Sequence, residues 1–280
     1  MEKQGEISVH GNPDCVVKTF DGYCISTYNL DKDTGIKTGS IQKFANNSLI
    51  SRLNFDCGIL DFKSYESNFL ACTSDGKLIL TDCLSTKLTL SLTDQCLSYL
   101  SLSGNTAYSA SLDGSIHIVD LPTQSYQSYK LNAYEIWYIE KFNDLICVPI
   151  SIGKLLVKDS RNMETFKTLN LHESEICSIL IDDTNIYTGS FDGTITQIDS
   201  RTWGKVSVLN IGGGVWRMLR KNSGFLTANM EEGFKYTTPT SQFTVSTQSL
   251  AYGLAEVEEN LIIGCSFYDS KLVFMQTTTT

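Results

Sequence analysis

The stretch IYTGSFDGTITQID, residues 186–199, reads as strand, tight turn, strand. Thr194, Thr196 and Ile198 alternate with Ile195, Gln197 and Asp199, the period of two that marks a strand. Gly193 supplies the positive φ that a tight hairpin needs. The same pattern recurs on both sides of it, as LACTSDGKLILTD from Leu70, AYSASLDGSIHIVD from Ala107, ICVPISIGKLLVKD from Ile146, FLTANMEEGFKYTT from Phe225 and LIIGCSFYDSKLVF from Leu261. A weaker copy runs from Tyr23 to Phe44 with Gly39 at its expected turn. The turn positions Gly39, Gly76, Gly114, Gly153, Gly193, Gly233 and Ser270 are 37, 38, 39, 40, 40 and 37 residues apart. In four consecutive units an aspartate (Asp82, Asp120, Asp159, Asp199) follows the turn glycine by six residues.

A unit of about 40 residues holding four strands is the period of a WD-type β-propeller blade. Seven turns predict an all-β, seven-bladed WD40-type β-propeller, one domain over residues 1–280. The chain runs out on a third strand, Lys271 to Gln276, so an N-terminal segment, Glu6 to His10, is expected to close the last blade. The WD pattern places tryptophan before the strand-ending aspartate, where this chain has Thr81, Val119, Lys158 and Ile198.

Composition narrows the function classes. Nine cysteines, with no pair two residues apart, fit neither a disulfide framework nor a zinc knuckle. With three histidines spread over three units, no metal or other cofactor is expected. A formal charge of −9 argues against a nucleic-acid partner. No apolar run approaches the roughly 18 residues of a membrane span, and the polar start carries no signal-peptide core. The expectation is a cytoplasmic monomer. There is no Gly-x-Ser-x-Gly elbow, no phosphate loop at Gly212-Gly213-Gly214, and no zincin helix at His172-Glu173. A methyltransferase lacks its glycine-rich strand-to-helix turn.

Three inner strands open at the same channel end with Glu135-Ile136-Trp137, Glu175-Ile176-Cys177 and Val215-Trp216-Arg217, and the turns carrying Asp113, Asp192 and Tyr268-Asp269 emerge there too. Tryptophans beside carboxylates at such a rim either cap gaps between blades or line an aromatic pocket. His172 likewise has two readings: a structural bond to Asp192 of the same repeat, or a general base beside Cys177 or a water.

The strings DQCLSYLS from Asp94, NAYEIWYIEKF from Asn132, HESEICSI from His172, TGSFDGTI from Thr188, GGGVWRM from Gly212 and GCSFYDSKL from Gly264, in this order, resemble the WD-repeat diphthine methyl ester hydrolase family. Two positions depart from it: Asn132 stands where the family has histidine, and Ser151-Ile152-Gly153 replaces an Asp-Gly turn. The resemblance implies hydrolysis of the methyl ester of diphthine methyl ester on elongation factor two. That substrate carries a trimethylammonium, which Glu135, Trp137, Trp216, Tyr268 and Asp269 could hold through ring faces and charge. Arg217 or the amides of Gly213 and Gly214 are candidate oxyanion donors. His172, Asp192 and Glu175 are candidate bases, and Cys177 a candidate nucleophile. The rival expectation is a non-catalytic adaptor that binds a protein or peptide on its top face.

Overall fold

The computed structural model describes residues 1–277. Twenty-eight strands among them form seven four-stranded antiparallel sheets, the blades of a β-propeller. Strand β1 (Glu2–Ser8) stands apart in sequence. Blade one then holds β2–β5 (residues 13–55), blade two β6–β9 (59–91), blade three β10–β13 (97–130) and blade four β14–β17 (140–170). Blade five holds β18–β21 (176–210), blade six β22–β25 (217–245) and blade seven β26–β28 (251–276).

Blade seven is completed by β1, which lies outside β28. Ser8 pairs with Lys271, Ile7 with Leu272 and Glu2 with Gln276. The closing strand therefore begins four residues earlier than expected and stops at Ser8, because the Val9 amide makes the last bond, to the Ser270 carbonyl at 2.9 Å, and His10 turns away toward Gln42. Glu6 holds this edge through Lys271, and Met1 is buried against blade six.

Six of the seven repeat turns lie where their spacing predicts. Gly76, Gly114, Gly153, Gly193 and Gly233 all have positive φ, and Ser270 takes φ 54° in blade seven. The exception is Gly39. It lies inside β4 (Lys37–Ala45), paired with Tyr28, because the hairpin from β3 (Gly22–Leu30) extends to Leu30 and Lys37 and turns at Asp31–Gly35. There the Asp31 carboxylate accepts the amides of Asp33 and Thr34, which favours a longer turn. The repeating aspartates have a local role of the same kind. Asp82, Asp120, Asp159 and Asp199 accept the amides of Leu84, Thr123, Arg161 and Arg201 and so fold the turn into the outer strand.

The turn glycines are fixed by a neighbour as well as by φ. In blades two to six the chain leaving the outer strand crosses directly over the glycine on its way to the next inner strand. A methyl group on Gly114 would run into the Ala133 carbonyl, on Gly76 into that of Thr93, on Gly153 into that of His172 and on Gly233 into that of Val245. Gly39 keeps this role inside its strand, where a Cβ would sit 2.7 Å from the Cys57 carbonyl. The apolar core is divided among the gaps between blades. Ile116, Ile136 and Ile146 fill the region of blades three to five, Leu78, Leu97 and Leu100 join two and three, and Ile59 and Phe62 face one. Each such fully buried side chain contributes about 1.5–3 kcal/mol.

Gly104 offers a control for the crossing contact, since its φ is also positive (57°) but nothing lies within 4 Å of its would-be Cβ. Gly104→Ala should cost about 1 kcal/mol of backbone strain, and Gly114→Ala clearly more, about 3 kcal/mol, because a backbone must also move. Denaturant midpoints of the two variants check this. Equal losses would mean that the crossing chain yields freely.

Candidate functional site

At the top of the channel, the end where the turn glycines lie, the inner strands present aromatic rings. Trp216 is the hub. Its ring meets Trp137 edge-on at 5.7 Å, stacks on Tyr252 at 5.1 Å and leans on Phe191 at 6.1 Å. From Tyr252 the row continues to Phe267 (4.7 Å) and on to Tyr268 (4.9 Å). Trp137 donates its Nε1 proton to exposed Glu135 at 3.1 Å. Trp216 Nε1, by contrast, is buried and has no partner among the described residues.

The structure thus brings Trp137, Trp216 and Glu135 together and sets Tyr268 apart from them, three ring contacts away. Tyr268 is 65% exposed. With Asp269, Glu231, Thr247 and Leu250 it lines a separate groove of about 530 Å³ between blades six and seven. Adjacency of Phe267 and Tyr268 in the chain concealed which ring turns inward. Phe267 does, and Tyr268 is the outer lip.

Arg217 is not at the rim. Its guanidinium lies beneath the rings, over Tyr99 (4.9 Å), Tyr138 (5.7 Å) and Trp216 (5.6 Å), and 3.8 Å from the Asp61 carboxylate, which β6 (Ile59–Tyr65) brings from across the channel. Asp61 is wholly buried and well bonded. It accepts from Lys63 Nζ at 2.9 and 3.0 Å, from the Leu100 amide at 3.1 Å and from the Cys15 thiol at 3.3 Å. Tyr99 donates to Tyr138, and Ser101 donates to Glu140 at 2.7 Å. Burial pushes the Glu140 carboxyl up to about 7. Below Arg217 a cavity of about 700 Å³ runs down the inner strands past Lys63 and Glu140 to Lys18, Ile181, Arg220 and Glu256.

Motifs missed Asp61, Tyr99 and Tyr138, yet a positional signal was available. Asp61, Tyr99, Tyr138 and Ser178 each stand 15 residues before the turn glycine of their blade, and Arg217 stands 16 before Gly233. Aligning the blades on their glycines puts these residues in one ring.

The remaining candidates lie elsewhere. His172 is enclosed within blade five: Nδ1 donates to Asp192 Oδ2 at 3.1 Å, with Thr194 Oγ1 at 3.0 Å, and Nε2 accepts from Thr188 Oγ1 at 2.8 Å. The carboxylate can only accept, which fixes this tautomer. Asp192 also accepts the amides of Glu173 and Thr194, so the pair serves the repeat and is turned away from the channel. Burial outweighs Asp192 and lowers the His172 pKa. Cys177 is 1% exposed, and burial pushes its thiol up, so it stays protonated at neutral pH. Glu175 is exposed next to Ser174. Among the described residues, no group of three or more His, Cys, Asp or Glu side chains is arranged to hold a metal ion.

A buried neutral histidine makes stability depend on pH. Because its folded pKa is below the unfolded value, the stability that His172 contributes is present above about pH 6.5 and is lost as pH falls below it. His172→Gln should therefore cost about 1–3 kcal/mol at pH 7.5, where Asp192 and Thr188 lose their partner, and distinctly less at pH 5. Denaturant unfolding at the two pH values decides; a gap that stays constant would show that the ring is not held neutral.

No protein-family model and no curated protein matches the chain. Solved structures do resemble it in fold. A chain in the crystal structure of the mitotic checkpoint complex superposes with a TM-score of 0.82 at 10% identity, over 99% of this chain and 95% of that one. The Pan2 WD40 domain of Neurospora crassa gives 0.79 at 9% identity, over 100% and 96%. The computationally designed Ika8 protein gives 0.70 at 12%, over 96% and 98%. At such identities the likeness is one of architecture: the chain has the seven-bladed β-propeller fold of WD40 domains.

Proposed function

We propose that this protein hydrolyses the methyl ester of diphthine methyl ester on elongation factor two, as a cytoplasmic monomer that meets its partner with the top face. One observation carries the reading. Four of the strings that resemble the diphthine methyl ester hydrolases, spread between residues 94 and 272, contribute to one end of the channel: Trp137 from NAYEIWYIEKF, Trp216 from GGGVWRM and Phe267 from GCSFYDSKL form the mouth, and Tyr99 from DQCLSYLS lies beneath it with Tyr138 and Arg217.

The chemistry suits the substrate. A trimethylammonium cannot donate a hydrogen bond, so ring faces and carboxylate charge must hold it, and Trp137, Trp216 and Glu135 offer both. The unpartnered Trp216 Nε1 is a donor awaiting an acceptor, such as an ester oxygen. Arg217 supplies a fixed positive charge beneath the mouth. The adaptor reading keeps one specific support: both nitrogens of His172 are occupied and Cys177 is a buried thiol, so neither of these groups is free for catalysis.

Mass spectrometry of elongation factor two from cells lacking this gene should show the methyl ester form accumulating; normal diphthamide would sink the reading. For the cation, Trp137 is a better probe than Trp216, whose loss would open a cavity among three rings. Trp137→Ala should raise the substrate requirement about five- to thirtyfold for a peptide ester bearing the trimethylammonium and much less for a neutral isostere. Equal effects on the two esters would place the cation elsewhere.

A further inference from the structure

We propose that the cavity beneath Arg217 binds a small organic monocarboxylate, with its head group on the Arg217 guanidinium and the Tyr138 hydroxyl and its chain along the inner strands. The cavity holds about 700 Å³, within the range of small-molecule sites. It follows β18 (Ile176–Asp182), β22 (Arg217–Lys221) and β26 (Ala251–Glu258) from the level of Arg217 to their far ends, where Lys18 is exposed to solvent. A ligand therefore has a way in opposite the aromatic mouth. The cavity and its charges stand whichever function that mouth serves.

The upper end of the cavity is rich in donors. The Arg217 side chain is 12% exposed, and a guanidinium offers five N–H groups. Among the described residues only the Trp216 carbonyl, at 3.3 Å, accepts from it, and Asp61, the one carboxylate within 4 Å, stands at 3.8 Å, beyond hydrogen-bond reach. Asp61 turns both its oxygens to Lys63, at 2.9 and 3.0 Å, and takes the Leu100 amide and the Cys15 thiol besides. Two cations thus share one carboxylate. Tyr138 adds a further donor, since its hydroxyl accepts from Tyr99 and its own proton meets no acceptor among the described residues. Arg217, Lys63 and Tyr138 all line the cavity. Unmet donors on a buried guanidinium are costly, and a carboxylate, which only accepts and matches the flat fork, removes that cost.

Charge and lining narrow the ligand. Glu140 lines the same cavity and opposes an anion, but burial pushes its carboxyl up to about 7, so it carries only part of a charge at neutral pH, and the Ser101 hydroxyl already donates to it at 2.7 Å. One positive charge in excess matches a monoanion, whereas a phosphate dianion would keep a buried charge without a partner. Below the head group the lining turns apolar, with Ile179, Ile181, Met218 and Leu254. That stretch suits an alkyl chain. At the far end Arg220 is tied to Asp182 at 3.6 Å and Glu256 to Lys221, so those charges are already matched.

The test is titration calorimetry on the full chain, in a buffer free of carboxylate and phosphate, with pentanoate, acetate, pentanamide and inorganic phosphate as probes. Pentanoate should bind with a Kd on the order of 1 mM or tighter, and acetate about tenfold or more weakly, since it lacks three methylenes. Pentanamide and phosphate should give no binding in that range. Tyr138→Phe should weaken pentanoate about tenfold. Arg217→Gln should abolish its binding. Because Arg217 also joins blades two and six, Tyr138→Phe, which deletes a single oxygen, decides the matter if the glutamine variant does not fold. Three results would each overturn the site: no binding of pentanoate to wild type at about 50 mM, equal binding of pentanoate and pentanamide, or a pentanoate affinity that Tyr138→Phe moves by less than about twofold. Phosphate binding more tightly than pentanoate would overturn the choice of a monocarboxylate.

Discussion

The crossing of the outer-strand exit over a turn glycine, made in blades two to six, is the contact on which the rest of the ring depends. The amides of Leu92, Leu131, Leu171 and Ile211 bond the carbonyls of Gly76, Gly114, Gly153 and Gly193, so the chain is pinned at the moment it leaves one blade for the next. A side chain at the glycine would lift the crossing, and a β-branched one could not adopt the φ. Because the pin fixes where the next inner strand begins, residues at the same distance before successive glycines reach the axis at the same height. The blade period sets a ring of side chains as well as a ring of strands.

That ring explains the channel. At one level it holds Asp61, Tyr99, Tyr138, Ser178 and Arg217, and bonds run from strand to strand around it: Cys15 to Asp61, Asp61 to the Leu100 amide, Tyr99 to Tyr138, and Ser178 to the Val215 carbonyl. In a low-dielectric interior such a network is strong when every member is satisfied and expensive when one is not. Trp216 Nε1, at the mouth, is a buried member without a partner among the described residues.

The propeller was legible because its signals are local. Glycine spacing, period-two strands and the six-residue aspartate offset each survive without knowledge of any neighbour. Gly39 misled only because a long hairpin keeps its glycine for the crossing and turns further out. Trp137 and Trp216 were legible as rim residues since large rings are out of place where inner strands are usually small. Asp61 was not, because ILDFK reads as an ordinary strand end with one polar residue, and only the ring brings it to Arg217 across the axis. His172 was legible in its structural role, as the same-repeat partner of Asp192; that it is shut away from the channel needed the fold.

The ring is closed twice, by different physics. Outside, β1 completes blade seven with backbone bonds and the Glu6 to Lys271 pair, a closure that any strand of suitable pattern could make. Inside, Arg217 of blade six meets Asp61 of blade two across the axis, and here substitution is not free. A buried ion pair adds little net stability, since desolvation offsets most of the attraction, but it holds its partners in one arrangement. Lysine could supply the charge but not a flat, weakly hydrated surface that lies over Tyr99, Tyr138 and Trp216 while reaching a carboxylate. The inner closure therefore orients the aromatic mouth and fixes a cation below it, which ties the positioning of the candidate site to the same residue that holds opposite blades together.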